Sequence, residues 1–144
     1  MPKPPLENLA RTGDLKVEPP AATEIEGLIR SGETRLRDAE NESLAIESRF
    51  DLAYNAAHAL SLAALRWYGY RPDNKRYIVF QALAHTLSLP TAQWRVLGDA
   101  HRRRNVIEYE GTVQVDEALV NAVLRVTREI AKRVRALGPV GGAT

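Results

Sequence analysis

Apolar residues return along this chain at intervals of three and four over long stretches, the period of helices that each bury one face. Ile25, Leu28, Ile29 and Leu36 share such a face, and Thr23 with Glu26 has the spacing of a capping box. The first bundle helix is therefore predicted from Thr23 to about Ala39. Between Ser43 and Tyr68 the chain is apolar nearly all round, with Phe50, Ala53, Tyr54, Ala57, Leu60, Ala64 and Trp67 at helical spacing. This stretch predicts the central, most buried helix. Gly69 ends it, and Arg71-Pro72-Asp73-Asn74 has the composition of a turn, because Pro presets φ and Asp or Asn bonds the local backbone. A third helix is expected over residues 75–87. A fourth runs from Thr91, placed as its cap behind Pro90, through Trp94, Leu97 and Val106 to about Glu108 or Tyr109, with Gly111 marking its end. The last carries the apolar stripe Leu119, Ala122, Val123, Val126, Ile130, Val134 and Leu137, backed by Arg125, Arg128, Lys132, Arg133 and Arg135. No pair of segments alternates with period two as a hairpin would, and no repeat of fixed length occurs. The pattern predicts an all-α fold, an up-and-down bundle of four to five helices.

The two ends break the pattern. Pro2, Pro4, Pro5, Pro19 and Pro20 are dense enough to bar a helix interior or a central strand, so residues 1–22 read as a proline-rich N-terminal arm. Leu6, Leu9, Leu15 and Val17 would let it dock on the body; nothing in the sequence decides between a docked and a free arm. Residues 23–137 make up the bundle. Residues 138–144, beginning Gly138-Pro139-Val140-Gly141-Gly142, cannot sustain a helix and are expected to be a disordered tail.

Composition narrows the function classes. The 144 residues suit one domain, and 44% hydrophobic with 26% charged residues is an ordinary globular balance. Without cysteine, a disulfide framework, a thiolate zinc site and a cysteine nucleophile are excluded. No segment approaches the roughly 20 uninterrupted apolar residues that cross a bilayer, and the N-terminus has no apolar stretch of signal-peptide length, so a cytoplasmic protein without membrane association is expected. A formal net charge of +2 favours nucleic acid only if concentrated on one face. Nothing resembles a phosphate-binding glycine loop, a nucleophile elbow or a kinase signature. His58, His85 and His101 fall on different predicted helices without a carboxylate or His four residues away in a recognised pattern, so neither metal nor cofactor is expected, and His85 reads as structural.

The densest polar stretch is His101-Arg102-Arg103-Arg104-Asn105, continuing to Glu108, Tyr109 and Gly111, at the end of an otherwise buried helix. Helical spacing puts His101, Asn105 and Tyr109 on one side, with Arg104 and Glu108 four apart and adjacent to it. Arginine binds phosphate bidentately, imidazole moves protons near neutral pH, and an amide or phenol positions a phosphodiester; these are the parts of a metal-free ribonuclease. The bland alternative is a solvated run of cations at a helix C-terminus, with Arg104 weakly paired to Glu108 and Tyr109 packed under the next loop; spacing alone favours it. A second polar trace, Asp51, Asn55 and His58, recurs at four and three residues within the central helix. It reads equally as a stripe facing Arg104 and Tyr109 across a cleft, with Asp51 or Asn55 orienting the arginine, or as a network that fixes helix register or faces solvent. Trp67, Tyr68, Tyr70 and Trp94 could stack bases, but aromatics at such spacing are more often core.

The segment SRFDLAYNAAHALSLAALRWYGYRP, followed by a helix ending in RRRNVIEYEG, resembles the HEPN superfamily of prokaryotic helical bundles over about residues 24 to 136. The ribonucleases of that superfamily carry Arg, four to six residues, then His, at a dimer cleft that acts on RNA. Arg104 and Asn105 match the Arg-Asn pair; Tyr109 stands where the histidine would be, and no histidine follows His101. A phenol with an ordinary pKa near 10 is a poor general base at neutral pH but a good hydrogen-bond donor. The resemblance implies a homodimer in a toxin-antitoxin, stress or defence system, linked to RNA or a nucleotide and catalytically weak or inactive. Two alternatives stay open: a divergent metal-independent endoribonuclease toxin using Arg104, Asn105 and Tyr109 or His101, and a non-catalytic partner of a small nucleotidyltransferase antitoxin. Asp51, Asn55, His58, His101 and Glu108 are the expected supporting residues of the cleft.

Overall fold

In the computed structural model of the protein, residues 3–73, 76–110 and 115–140 are described, Arg76 and residues 107–110 by their backbone alone. They form a mostly helical, all-α body with one small two-stranded sheet. None of the described helices is long and apolar enough to cross a membrane.

The N-terminal segment departs from the expectation drawn from its prolines. Helix α1 spans Pro4–Arg11, with its prolines in the first turn. Those positions have no helical acceptor for an N–H anyway, so proline fits them; only the helix interior is barred. Gly13, at φ 89°, turns the chain into strand β1, Leu15–Val17. That strand pairs antiparallel with β2, Tyr70–Pro72, in the register Leu15 to Pro72, Lys16 to Arg71 and Val17 to Tyr70. The pairing is long-range and only three residues deep, which is why no hairpin pattern announces it. Leu6 and Leu15 are buried with Leu65, Ile78, Val79 and Ala82 in a small core of their own. Of the docked and free alternatives, the segment is docked.

Helix α2, Ala22–Ala39, begins one residue before Thr23, and Ala21 at its cap offers no side-chain acceptor. The expected capping box is therefore absent. Helix α3, Ile46–Trp67, is the centre of the fold: Phe50, Ala53, Tyr54, Ala57, Leu60 and Ala64 are buried against α2 and helix α7, Glu117–Ala136. Asp116 caps α7, accepting from Leu119 N. The expected third helix is two short ones, α4, Arg76–Gln81, and α5, Leu83–Thr86, broken at Ala82, whose ψ of −17° is closer to a 3₁₀ than an α turn. Helix α6, Thr91–Glu110, buries Leu97 and Ala100 against the same core. Of the tail, Trp67 Nε1 donates to Gly138 O at 3.1 Å and Val140 packs on the core; residues 141–144 and Gly111 lie outside the described residues.

Arg66, near the end of α3, is 1% exposed although charged. Its Nε donates to Glu24 Oε1, Nη1 to Glu18 O and Tyr70 O, and Nη2 to Pro19 O, at 2.8–3.3 Å. Arg71 bridges the same two acids, its Nη2 2.7 Å from Glu18 Oε2 and from Glu24 Oε2. These contacts fasten the N-terminal segment across the ends of α2, α3 and β2. A buried cation is tolerated only when paired and hydrogen-bonded in this way.

Candidate functional site

Packing of α6 over α3 and α4 brings together residues far apart in sequence. Tyr54, buried on α3, directs its hydroxyl to His101 Nδ1 at 3.0 Å. One helical turn on, Asn105 Nδ2 lies 3.4 Å from His101 Nε2, as the spacing of four predicts. Tyr54 Oη and Asn105 Nδ2 therefore stand at opposite nitrogens of the ring. The imidazole is thus held from both ring nitrogens.

Arg104 sits beside this pair. Its guanidinium lies 4.9 Å from the centroid of the Tyr54 ring, and its Nε is 4.0 Å from Asp51 Oδ1, on the preceding turn of α3. A cation over an aromatic face contributes about 0.5–1 kcal/mol, and an exposed ion pair at such a distance about as little. The Arg104 side chain is 28% exposed, yet its Nη1 is buried and has no hydrogen-bond partner among the described residues. Asp51 is 61% exposed, so the cluster is an open face. Around it Arg102 pairs with Asp99 at 2.9 Å, and Arg103 reaches the same carboxylate at 3.9 Å.

Of the residues singled out in the sequence, the fold unites Asp51, His101, Arg104 and Asn105. Between Asp51 and Asn55 it is Asp51 that approaches the arginine; Asn55 Nδ2 donates back to Asp51 O in its own helix. His58 is half-buried against the Phe80 ring, edge to face at 6.0 Å. Glu108 and Tyr109 continue α6, but their side chains lie outside the described residues. His85 stands on α5, apart from the elements that carry these residues.

Tyr54 is the member that sequence reasoning assigned to the core. Its ring is core, packed edge to face on Phe80 at 5.8 Å, and only its hydroxyl belongs to the site. Its place between Asp51 and His58, at spacings of three and four, was the available signal. Tyr77 of α4 also adjoins the cluster, its ring centroid 5.8 Å from that of His101.

Chemically, the arrangement offers a partly exposed guanidinium, one of whose donors has no partner among the described residues, and an imidazole held at both ring nitrogens. A bidentate guanidinium suits a phosphate or carboxylate oxygen. Among the described residues no three His, Asp or Glu side chains group closely enough to hold a metal ion. No family model and no curated protein matches the chain.

Proposed function

We propose that the protein is an HEPN-like, homodimeric helical domain that binds RNA or a nucleotide through Arg104, with little or no cleavage activity, as a component of a toxin-antitoxin, stress or defence system. The observation that carries the reading is the buried Arg104 Nη1, which has no hydrogen-bond partner among the described residues, on a guanidinium held over Tyr54. Leaving a buried charged donor unsatisfied costs about 1–3 kcal/mol, which is recovered when the partly exposed side chain turns Nη1 outward to a phosphate oxygen. The Arg-Asn pair of the superfamily motif is Arg104-Asn105, and Asn105 is turned to His101.

Binding is favoured over cleavage because the nearby imidazole is engaged at both nitrogens and Tyr109 occupies the motif's histidine position. A general base needs a nitrogen lone pair presented to the 2′-hydroxyl. A nucleotidyltransferase partner in the same system fits a non-catalytic cleft equally.

The test uses purified protein and a mixed pool of short RNAs in EDTA, with binding followed by fluorescence anisotropy and integrity by gel. The expected result is saturable binding that Arg104→Ala weakens at least tenfold, with RNA left intact. Equal binding by wild type and Arg104→Ala would overturn the reading. Cleavage dependent on Arg104 would replace it with the divergent endoribonuclease.

A further inference from the structure

Beyond Arg104, aromatic side chains gather where α4 crosses α6. Tyr77, in the first turn of α4, is 36% exposed and lies across α6 at Gly98. A Cβ at Gly98 would stand 3.0 Å from Tyr77 Cε1 and 3.2 Å from its hydroxyl oxygen, so the glycine makes the seat for the ring. Trp94, one turn before Gly98, meets the ring edge to face at 6.5 Å, and His101, one turn after, meets it tilted by 52° at 5.8 Å. Trp94 Nε1 is itself buried without a hydrogen-bond partner among the described residues. The ring is thus held by Gly98, Trp94 and His101 and about one-third exposed, two contacts away from Arg104 through His101 and Tyr54.

We propose that Tyr77, seated on Gly98 between Trp94 and His101, is a base-stacking subsite for the nucleotide whose phosphate Arg104 takes, which makes the preferred ligand single-stranded RNA. The inference rests on the phosphate-binding reading of Arg104 and adds to it the class of ligand. A partly exposed aromatic near an arginine is how single strands are held: phosphate on the cation, base on the ring. A base in a duplex is already stacked on its neighbours and offers the ring nothing. A free phosphate would engage Arg104 and ignore Tyr77.

The experiment measures anisotropy of three labelled ligands of equal length on the full chain: single-stranded RNA, duplex RNA, and an abasic ribose-phosphate oligomer. The variants are Tyr77→Ala, Tyr77→Phe, Gly98→Ala and Arg104→Ala, each checked by circular dichroism and size. A single-stranded RNA with one 2-aminopurine reports stacking by quenching, whatever the affinity. Stacking is worth about 1–3 kcal/mol per base, so Tyr77→Ala should weaken single-stranded RNA by about 5- to 150-fold and abolish the quench. Tyr77→Phe should retain both, and the abasic oligomer should bind every Tyr77 variant alike. Gly98→Ala, which displaces the ring without altering it, should reproduce Tyr77→Ala even if that variant folds poorly. If Tyr77→Ala and Gly98→Ala bind single-stranded RNA like wild type while Arg104→Ala does not, the stacking subsite is wrong and the phosphate reading stands. If duplex binds as tightly as single strand, or Arg104→Ala binds all three ligands as wild type does, the inference falls; the second outcome removes the phosphate reading with it.

Discussion

Replacing Arg66 with methionine keeps much of the buried volume and removes the charge and the fork of donors. In the wild type that fork meets the Glu24 carboxylate at 2.9 Å, the Glu18 carboxylate at 3.4 Å, and three backbone carbonyls, those of Glu18, Pro19 and Tyr70. Removing one partner of a buried ion pair costs about 3–5 kcal/mol, because the remaining groups are left desolvated. Here the lower end applies: Arg71 still holds Glu24 at 2.7 Å, and Glu24 and Glu18 are partly exposed, so water can reach them. About 3 kcal/mol is expected, a substantial part of a total stability of about 5–15 kcal/mol. For a chain of this size that corresponds to a fall in Tm of roughly 6–12 °C. Urea titration with thermal melts measures the loss, and hydrogen exchange at residues 15–17 and 70–72 locates it. Arg71→Met is the control: its side chain is 36% exposed, and its loss should cost less than about 1 kcal/mol. An Arg66→Met variant within about 1 kcal/mol of wild type, with exchange in β1 unchanged, would show that Leu6 and Leu15 hold the N-terminal segment without the cation.

Arg104→Ala should lower stability by less than about 1 kcal/mol, since its contacts are a long ion pair and one cation–π contact and the relief of its buried Nη1 acts in the opposite direction; a large fall in Tm would make Arg104 a structural residue. Gly32→Ala places a Cβ 2.6 Å from Leu60 Cγ at the α2–α3 contact and should destabilise by about 1–3 kcal/mol, whereas Gly27→Ala, with nothing within 4 Å, should stabilise by about 0.5–1 kcal/mol; the same urea series checks both signs. The Glu18 carboxyl is held below its ordinary value by its hydrogen bond from Arg71, and in Glu24 the hydrogen bonds from Arg71 and Arg66 outweigh the upward push of burial. A lowered folded pKa contributes stability that is fully present above the ordinary value near 4.5 and is lost as pH falls through the folded values. Urea midpoints should therefore fall on acidification below about that pH, and Glu24→Gln should flatten the fall; an unchanged slope in Glu24→Gln would mean other carboxylates govern it. If the HEPN-like reading is right, Tyr109→His raises metal-free RNA cleavage, and no gain from a variant that still binds RNA would mean the cleft lacks the geometry for it.

Periodicity was enough to find α2, α6 and α7, because each has a face that packs on the core and a face that does not, and the nearly unbroken apolar run was enough to find α3. It failed where the determining interaction is long-range or lies in the backbone. The prolines of α1 are allowed by their place in the first turn, which composition does not express. The clamp around Arg66 joins α3 to residues more than forty positions earlier, and each of its members looks in sequence like an ordinary surface charge. Glu24, beside Thr23, was hidden within an apparent capping box that the helix start at Ala22 does not use.

The candidate site follows the same division. His101, Arg104 and Asn105 are neighbours on one helix, and their relation was legible from spacing. The choice between Asp51 and Asn55 was not, because it depends on which turn of α3 lies opposite Arg104. Tyr54 and Tyr77 were missed for a shared reason: in sequence an aromatic within an apolar run reads as core, and both rings do pack against core or helix backbone. What separates them from core is one atom or one face, the Tyr54 hydroxyl at His101 and the open side of the Tyr77 ring. Gly98 carries the one sequence mark of the second. An unneeded glycine in the interior of a 20-residue helix costs about 1 kcal/mol against alanine, and here its missing Cβ is the space that Tyr77 fills. On the proposed reading, that cost is what seats a partly exposed ring two contacts away from Arg104, one place for a base and one for a phosphate.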